Sequence, residues 1–196
     1  MGRSQTFDTA TVVRAARTLF WQRGYEDVSV PDLEEVTGIK RSSLYHAFGS
    51  KRGVFDAAVD SYLEDVVRPR LRPLQGPDVA PEALVTTYLG GLRAALADGR
   101  PAALQTGCLL VNSATAPVGR DEAVAQVVHD YRAELHAAFR RGALAAGVAA
   151  PEQVATLCTS AVVSAFVLAR IDPAEAVATL DAVLDVVTRE GGVLRR

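Results

Sequence analysis

Residues 29–48, SVPDLEEVTGIKRSSLYHAF, hold two short helical patterns around one glycine, and their reading decides the fold. Ser29 stands as an N-cap with Asp32 three residues on, a capping box that occupies the free amides of a helix start. Pro31 is tolerated in a first turn whose amides lack helical partners anyway. A short helix through Leu33 and Val36 follows. Thr37-Gly38 ends it, because Gly38 can take the positive φ that a tight inter-helix turn needs. The next helix is predicted over Lys40 to Phe48, with Leu44 and Phe48 turned inward behind Ile39, and Arg41, Ser42, Tyr45 and His46 turned outward. Upstream, a helix opens near Asp8 or Thr9 and carries Val12, Val13, Ala16, Leu19 and Phe20 at spacings of three and four before Gly24 stops it. Three short helices, with a glycine-containing turn of about four residues between the second and third, make a helix-turn-helix candidate.

The rest of the chain is also helical in period, and no stretch reads as a strand. From Ser50 a longer helix runs through Val54, Phe55, Ala58, Val59, Tyr62, Leu63 and Val66 to about Arg68-Pro69. Leu74 to Asp78 is a loop. Further helices are predicted over Pro81–Ala97, Leu104–Ala114, Asp121–Ala146, Pro151–Ala169 and Pro173–Arg189, several of them opening on a first-turn proline. The expected fold is all-α with about nine helices, a small unit over residues 1–50 and a larger one over 51–196. In the penultimate helix, Val154, Leu157, Cys158, Ala161, Val162, Ala165 and Leu168 form one stripe, while Val163, Phe166 and Val167 leave the other face apolar too. A helix apolar nearly all round is buried on two sides. The last helix carries Val177, Leu180, Leu184 and Val187 on one face. Two such helices can bury one face at home and the other against a twin, which makes Leu157, Ala161, Ala165, Leu168, Leu180, Leu184 and Val187 candidates for a four-helix homodimer interface. A single monomeric core is the alternative.

Composition narrows the class. Of 196 residues, 49% are hydrophobic and 22% charged, ordinary globular values, and the glycines and prolines are scattered rather than repeated. Cys108 and Cys158 form no Cys-x-x-Cys pair, so a disulfide scaffold or zinc finger is not expected. The polar start Met1 to Thr6 lacks the apolar core of a signal peptide, and a cytoplasmic address is expected. The uncharged stretches Pro101–Gly119 and Gln153–Ala169 are read as buried segments rather than membrane spans, being short, polar-punctuated or proline-broken. Residues 1–55 hold eight Lys/Arg against six Asp/Glu, and the remainder thirteen against seventeen. The asymmetry sharpens at Lys40, Arg41, Lys51 and Arg52, where no acid intervenes. A basic cluster on an otherwise acidic chain suits a local nucleic-acid contact or an ordinary solvated surface.

Ala16, Leu19-Phe20, Gly24-Tyr25, Ser29-Val30, Leu33, Gly38-Ile39, Ser43-Leu44-Tyr45, Phe48, Lys51 and Phe55 stand in an ungapped register that resembles the DNA-binding domain of the tetracycline-repressor (TetR/AcrR) family. The resemblance is close over residues 8 to 55. The chain departs from the family pattern at Val28, at Glu34, where a small residue usually packs between helices, and at Ala47, where a histidine is usual. Glu34 must turn outward or find a partner such as Arg41. The resemblance implies a homodimeric, ligand-responsive repressor on a palindromic double-stranded operator. Its third helix would enter the major groove, with Arg41, Ser42 and His46 facing base edges. Ser29, Lys40, Ser43, Tyr45 and Lys51 would face phosphates, which fix register without reading sequence. The alternative for Tyr45 is a ring that mainly packs.

Thr106-Gly107-Cys108-Leu109-Leu110-Val111-Asn112 resembles a Gly-Cys-Leu segment that borders the inducer cavity in some members of the family. Cys108 is either a thiol sensor or a small buried side chain; no Lys, Arg or His nearby in sequence would lower its pKa. Asn112 is a polar anchor for ligand or a cap. Tyr62, Tyr88, Leu92, Tyr131 and Phe166 complete the pocket candidates, for an apolar or weakly polar inducer of unknown identity. No cofactor motif is found, and His129 and His136, seven apart, lack the i, i+4 geometry of a shared metal. Two other classes compete. A thiol enzyme would need Cys108 beside His129 or His136, with no motif to support it. A helical adaptor that has lost specific DNA binding is suggested by Glu34 and Ala47.

Overall fold

The computed structural model describes residues 8–99 and 106–190, and among these residues it is all-helical. Helix α1 spans Thr9–Arg23, α2 Val30–Thr37 and α3 Arg41–Phe48. Asp8 caps α1 by accepting the amides of Ala10 and Thr11, and Gly24 ends it at φ 82°. The capping box of α2 is present in both directions. Gly38 closes α2 in the left-handed region, at φ 71°, a conformation that glycine adopts without the strain other residues carry.

Helix α4 begins with Lys51–Tyr62, passes through a π-helical segment at Leu63–Val67, and returns to α geometry over Arg68–Leu71. It therefore runs past the expected stop at Pro69. A proline inside a helix loses an amide and collides with the carbonyl four residues back, and the widened π turn just ahead of it makes room. Helix α5 is π-helical over Ala83–Gly90 and α-helical over Gly91–Ala97. Helix α6 spans Leu109–Thr115, α7 Glu122–Ala145, α8 Pro151–Leu168 and α9 Pro173–Glu190. The helix expected from Leu104 starts instead at Leu109, because Gly107 sits at φ 77° and Cys108 is extended; the beginning of that expected span lies outside the described residues.

Two cores merge along α4. The first packs Val12, Ala16, Phe20, Val28, Leu33, Leu44, Val54 and Phe55, all at 3% exposure or less. Phe55 meets Phe20 edge-on at 5.3 Å and Tyr25 at 5.0 Å, so the first half of α4 completes the small unit's interior. The second core lies among α5 to α9, with the α7–α8–α9 packing at its centre. Helix α8 is long and apolar enough by length and composition to cross a membrane, yet here Val154, Cys158, Val162, Ala165 and Phe166 are enclosed by protein.

Candidate nucleic-acid interface

Helix α3 is held at both ends and left open on one face. Inward, Leu44 is fully buried. Outward, Arg41, Ser42 and His46 are exposed, while Ser43 and Tyr45 are half-buried. The Arg41 guanidinium lies 4.9 Å from the Tyr45 ring centroid, so that ring supports the arginine from below. Lys40 precedes the helix in extended conformation and supplies no side-chain cap. The missing cap comes from α2. The Glu34 carboxylate accepts the Arg41 backbone N–H at 2.9 Å, which gives this acid its partner and ties the two helices of the motif together. The partner is the main chain of Arg41, so its guanidinium stays free.

Lys51, at the start of α4, stands 4.3 Å from the Tyr25 ring, and partial burial lowers its pKa from the ordinary lysine value. Lys40, Arg41 and Lys51 carry no ion pair among the described residues, whereas Arg52 is neutralised by Asp56 at 2.6 Å and Asp121 at 2.9 Å. The basic cluster thus holds three charges without an ion pair among the described residues: Lys40 just before α3, Arg41 at its start and Lys51 at the start of α4. Ser29 is differently engaged: its hydroxyl and amide both bond to Asp32, at 2.5 and 2.6 Å. Those bonds, with Arg23 at 2.9 Å, hold the Asp32 carboxyl down to about 2, below its ordinary 3.8. A carboxyl lowered on folding stabilises the fold above its unfolded pKa and loses that contribution as pH falls through the folded value. An NMR titration of the side-chain carboxyls is therefore expected to place the Asp32 midpoint near 2; a midpoint in the ordinary range would show that the cap is not formed.

Besides Arg17, which reaches Asp65 on α4 at 2.6 Å, three polar contacts tie α1, the loop after it and the start of α4 to residues 107–121, and none is apparent from local sequence. The Trp21 indole N–H donates to the Gly107 carbonyl at 3.0 Å while its ring meets Tyr62 edge-on at 4.9 Å. Glu26 accepts the Val118 amide at 2.7 Å. Arg52 reaches Asp121, the N-cap of α7, whose carboxyl it helps pull down to about 2. The junction thus runs along residues 107–121, the stretch that contains the Gly-Cys-Leu segment.

The pocket candidates separate into groups. Tyr88 and Leu92 line a cavity of about 290 Å³ between the end of α4 and α5. Cys108 is fully buried and its thiol lies 3.6 Å from the Tyr131 hydroxyl. Tyr62 is its other neighbour, and burial raises both phenols well above the usual tyrosine range. Asn112 donates to the Thr106 carbonyl at 2.8 Å and lines a separate recess with Val167 and Ile171. Phe166 is buried, its carbonyl against Gly107. His136 bonds to Thr156 at 3.2 Å and His129 is exposed, so Cys108 meets phenols rather than an imidazole. Of the interface candidates, Ala165, Leu180 and Val187 are wholly enclosed by their own protomer. Ala161, Leu168 and Leu184 are half-buried, and Leu157 is 42% exposed. The outward apolar residues at this end are Leu157, Val167, Ile171 and Val186.

Two short helices at a tight turn, a second helix with an open basic face, and a separate helical unit joined through one long helix define a helix-turn-helix DNA-binding transcriptional regulator. Residues 12–58 match the family described as bacterial regulatory proteins, tetR family. The uncharacterized HTH-type transcriptional regulator YezE of Bacillus subtilis is 36% identical over 146 residues, which is 74% of this chain and 73% of YezE. The HTH-type transcriptional repressor ComR of Escherichia coli is 32% identical over 114 residues, 58% of this chain and 53% of ComR. Among solved structures, the TetR family regulator CifR, a cysteine mutant in complex with 26-bp operator DNA, superposes with a TM-score of 0.76 at 31% identity, covering 94% of this chain and 98% of CifR. The chain belongs to the TetR family.

Proposed function

We propose that the protein is a homodimeric repressor that binds a palindromic operator in the cytoplasm and leaves it when a small molecule enters the larger unit. The observation that carries this reading is the open face of α3, where Arg41, Ser42 and His46 are exposed between the unpaired charges of Lys40 and Lys51. Arg41 has the forked donors that match the two acceptors of a guanine edge in the major groove. Ser43, Tyr45, Lys40 and Lys51 flank it as phosphate contacts, whereas the Ser29 amide and hydroxyl are taken up by the Asp32 carboxylate. Glu34 no longer argues against DNA binding, since its carboxylate braces the reading helix. A second copy would cover the apolar residues left outside on α8 and α9 and set two reading helices one turn of DNA apart, about 34–36 Å. Release requires that the inducer bind the two states with different affinity. Helix α4 supplies the mechanical link, since one end completes the core of the small unit and the other borders the cavity beside Tyr88 and Leu92.

Selection from a random duplex pool with the purified full-length protein tests the reading. Wild type is expected to enrich a palindrome. Arg41→Ala relaxes preference at one position of each half-site by about 1–3 kcal/mol. Lys51→Ala weakens all duplexes alike and lowers the salt dependence of binding by about one counterion. No enriched sequence from the wild-type protein would remove the repressor reading. Enrichment of a palindrome that survives Arg41→Ala with unchanged base preference would remove Arg41 from the reading set.

A further inference from the structure

The described lining of the cavity between α4 and α5 includes a cation and no carboxylate. Arg70 and Thr87 line it beside the phenol of Tyr88, and Pro69, Pro73 and Leu92 supply most of the apolar remainder. Arg70 is half-buried and has no ion pair or hydrogen bond among the described residues. Glu64 and Glu134 are engaged by other groups: Glu64 pairs with Arg68, and Glu134 is shared by Arg68 at 3.6 Å and Gln75 at 3.3 Å. The positive charge of Arg70 is felt inside the protein, where it opposes the burial that raises the phenols of Tyr62 and Tyr88. Burial keeps the Tyr88 phenol protonated and hence a hydrogen-bond donor. Arg70 from α4 and Thr87 and Tyr88 from α5 thus bring donor-bearing side chains to an otherwise mostly apolar lining.

The backbone points to the same place. Both π-helical segments of the chain's described residues flank the cavity: Leu63–Val67 leads directly into Pro69 and Arg70, and Ala83–Gly90 carries Thr87 and Tyr88. Such turns give up regular hydrogen-bond geometry and recur at functional sites. We propose that this cavity is the effector site and that it takes a small amphipathic carboxylic acid, with the carboxylate on Arg70 and an apolar tail against Leu92 and the two prolines. A guanidinium offers paired donors to a carboxylate, and a partly dry wall strengthens that bond. A volume of about 290 Å³, roughly ten water volumes, is room enough for a ligand of about ten non-hydrogen atoms. The effector role rests on the repressor reading above; the binding chemistry does not.

Octanoate, 1-octanol and octylammonium are probes of one tail length and three head groups. Titration calorimetry on the full-length protein is expected to show octanoate binding at least tenfold tighter than 1-octanol, with octylammonium weakest. Arg70→Gln should bring octanoate down to the level of the alcohol, Arg70→Lys should restore part of the preference, and Leu92→Trp should exclude both ligands, with the fold of each variant checked by its melting curve. Equal binding of acid and alcohol by wild type, or an acid preference that survives Arg70→Gln, would overturn the site. Fluorescence anisotropy on the selected operator separates the two claims. Octanoate that binds through Arg70 without changing operator affinity leaves the site standing and overturns its effector role, whereas a selected operator with no octanoate binding overturns the site alone.

Discussion

Gly53→Ala is expected to cost at least tenfold in operator affinity and to lower the melting temperature of the small unit. A β-carbon built on Gly53 lies 1.9 Å from the Phe48 carbonyl oxygen and 3.0 Å from its carbon. The obstacle is backbone, so no side-chain rotation relieves it. The approach is close because α3 ends at Phe48 and α4 begins at Lys51, with only Gly49 and Ser50 to turn the chain and Ser50 already capping the Gly53 amide at 3.1 Å. To admit one methyl group, α3 and α4 must part, and the reading helix tilts with them. Overpacking of a close contact costs about 1–3 kcal/mol, and collision with a fixed carbonyl lies at the upper end of that range. Operator anisotropy and circular dichroism together check the claim. Wild-type values in both would mean that α3 does not pack on α4 as closely as described.

Phe55→Ala is expected to destabilise the small unit by about 3–5 kcal/mol, the usual range for emptying a buried phenylalanine site. Phe55 is 1% exposed and touches both Phe20 and Tyr25 edge-on, so the cavity left behind sits at the centre of a core built from few residues. A small domain has only several kcal/mol of stability, so the loss takes most of it. Tyr25 also carries Lys51 on its ring, and its displacement frees that cation from its seat. The thermal transition should split, with an early step that abolishes operator binding while the α7–α8–α9 signal persists. Phe55→Leu, which keeps most of the volume, should shift that step by much less. A single unshifted transition for Phe55→Ala would refute the packing described.

The features legible in the sequence are those whose partners lie within a few residues. The Ser29–Asp32 box, the Gly38 turn and the inward Leu44 each depend on a spacing of three or four and on local backbone freedom, and each appears where the pattern places it. The starts of α7, α8 and α9 were legible for the same reason, being set by an aspartate cap or a first-turn proline. The length of α4 was not, because a proline normally ends a helix and only the π turn before Pro69 lets it continue.

The apolar alternation of α8 could not say which face belongs to the protomer. With residues such as Leu157 and Val167 as apolar as Val162 and Ala165, periodicity finds two equivalent sides, and only the packing of α7 and α9 chooses between them. By itself, then, the sequence determined an all-helical chain with a helix-turn-helix at its start and the outward Arg41, Ser42 and His46 of α3, because short-range caps and helical period decide these, whereas Tyr45, also expected outward, packs partly against the core. The tertiary structure alone decided that Glu34 caps α3, that Trp21 reaches Gly107 across 86 positions, and that Arg70 is left without an acid. Each of those depends on which distant groups the packed helices bring within hydrogen-bond reach, and on which acids other cations have already claimed.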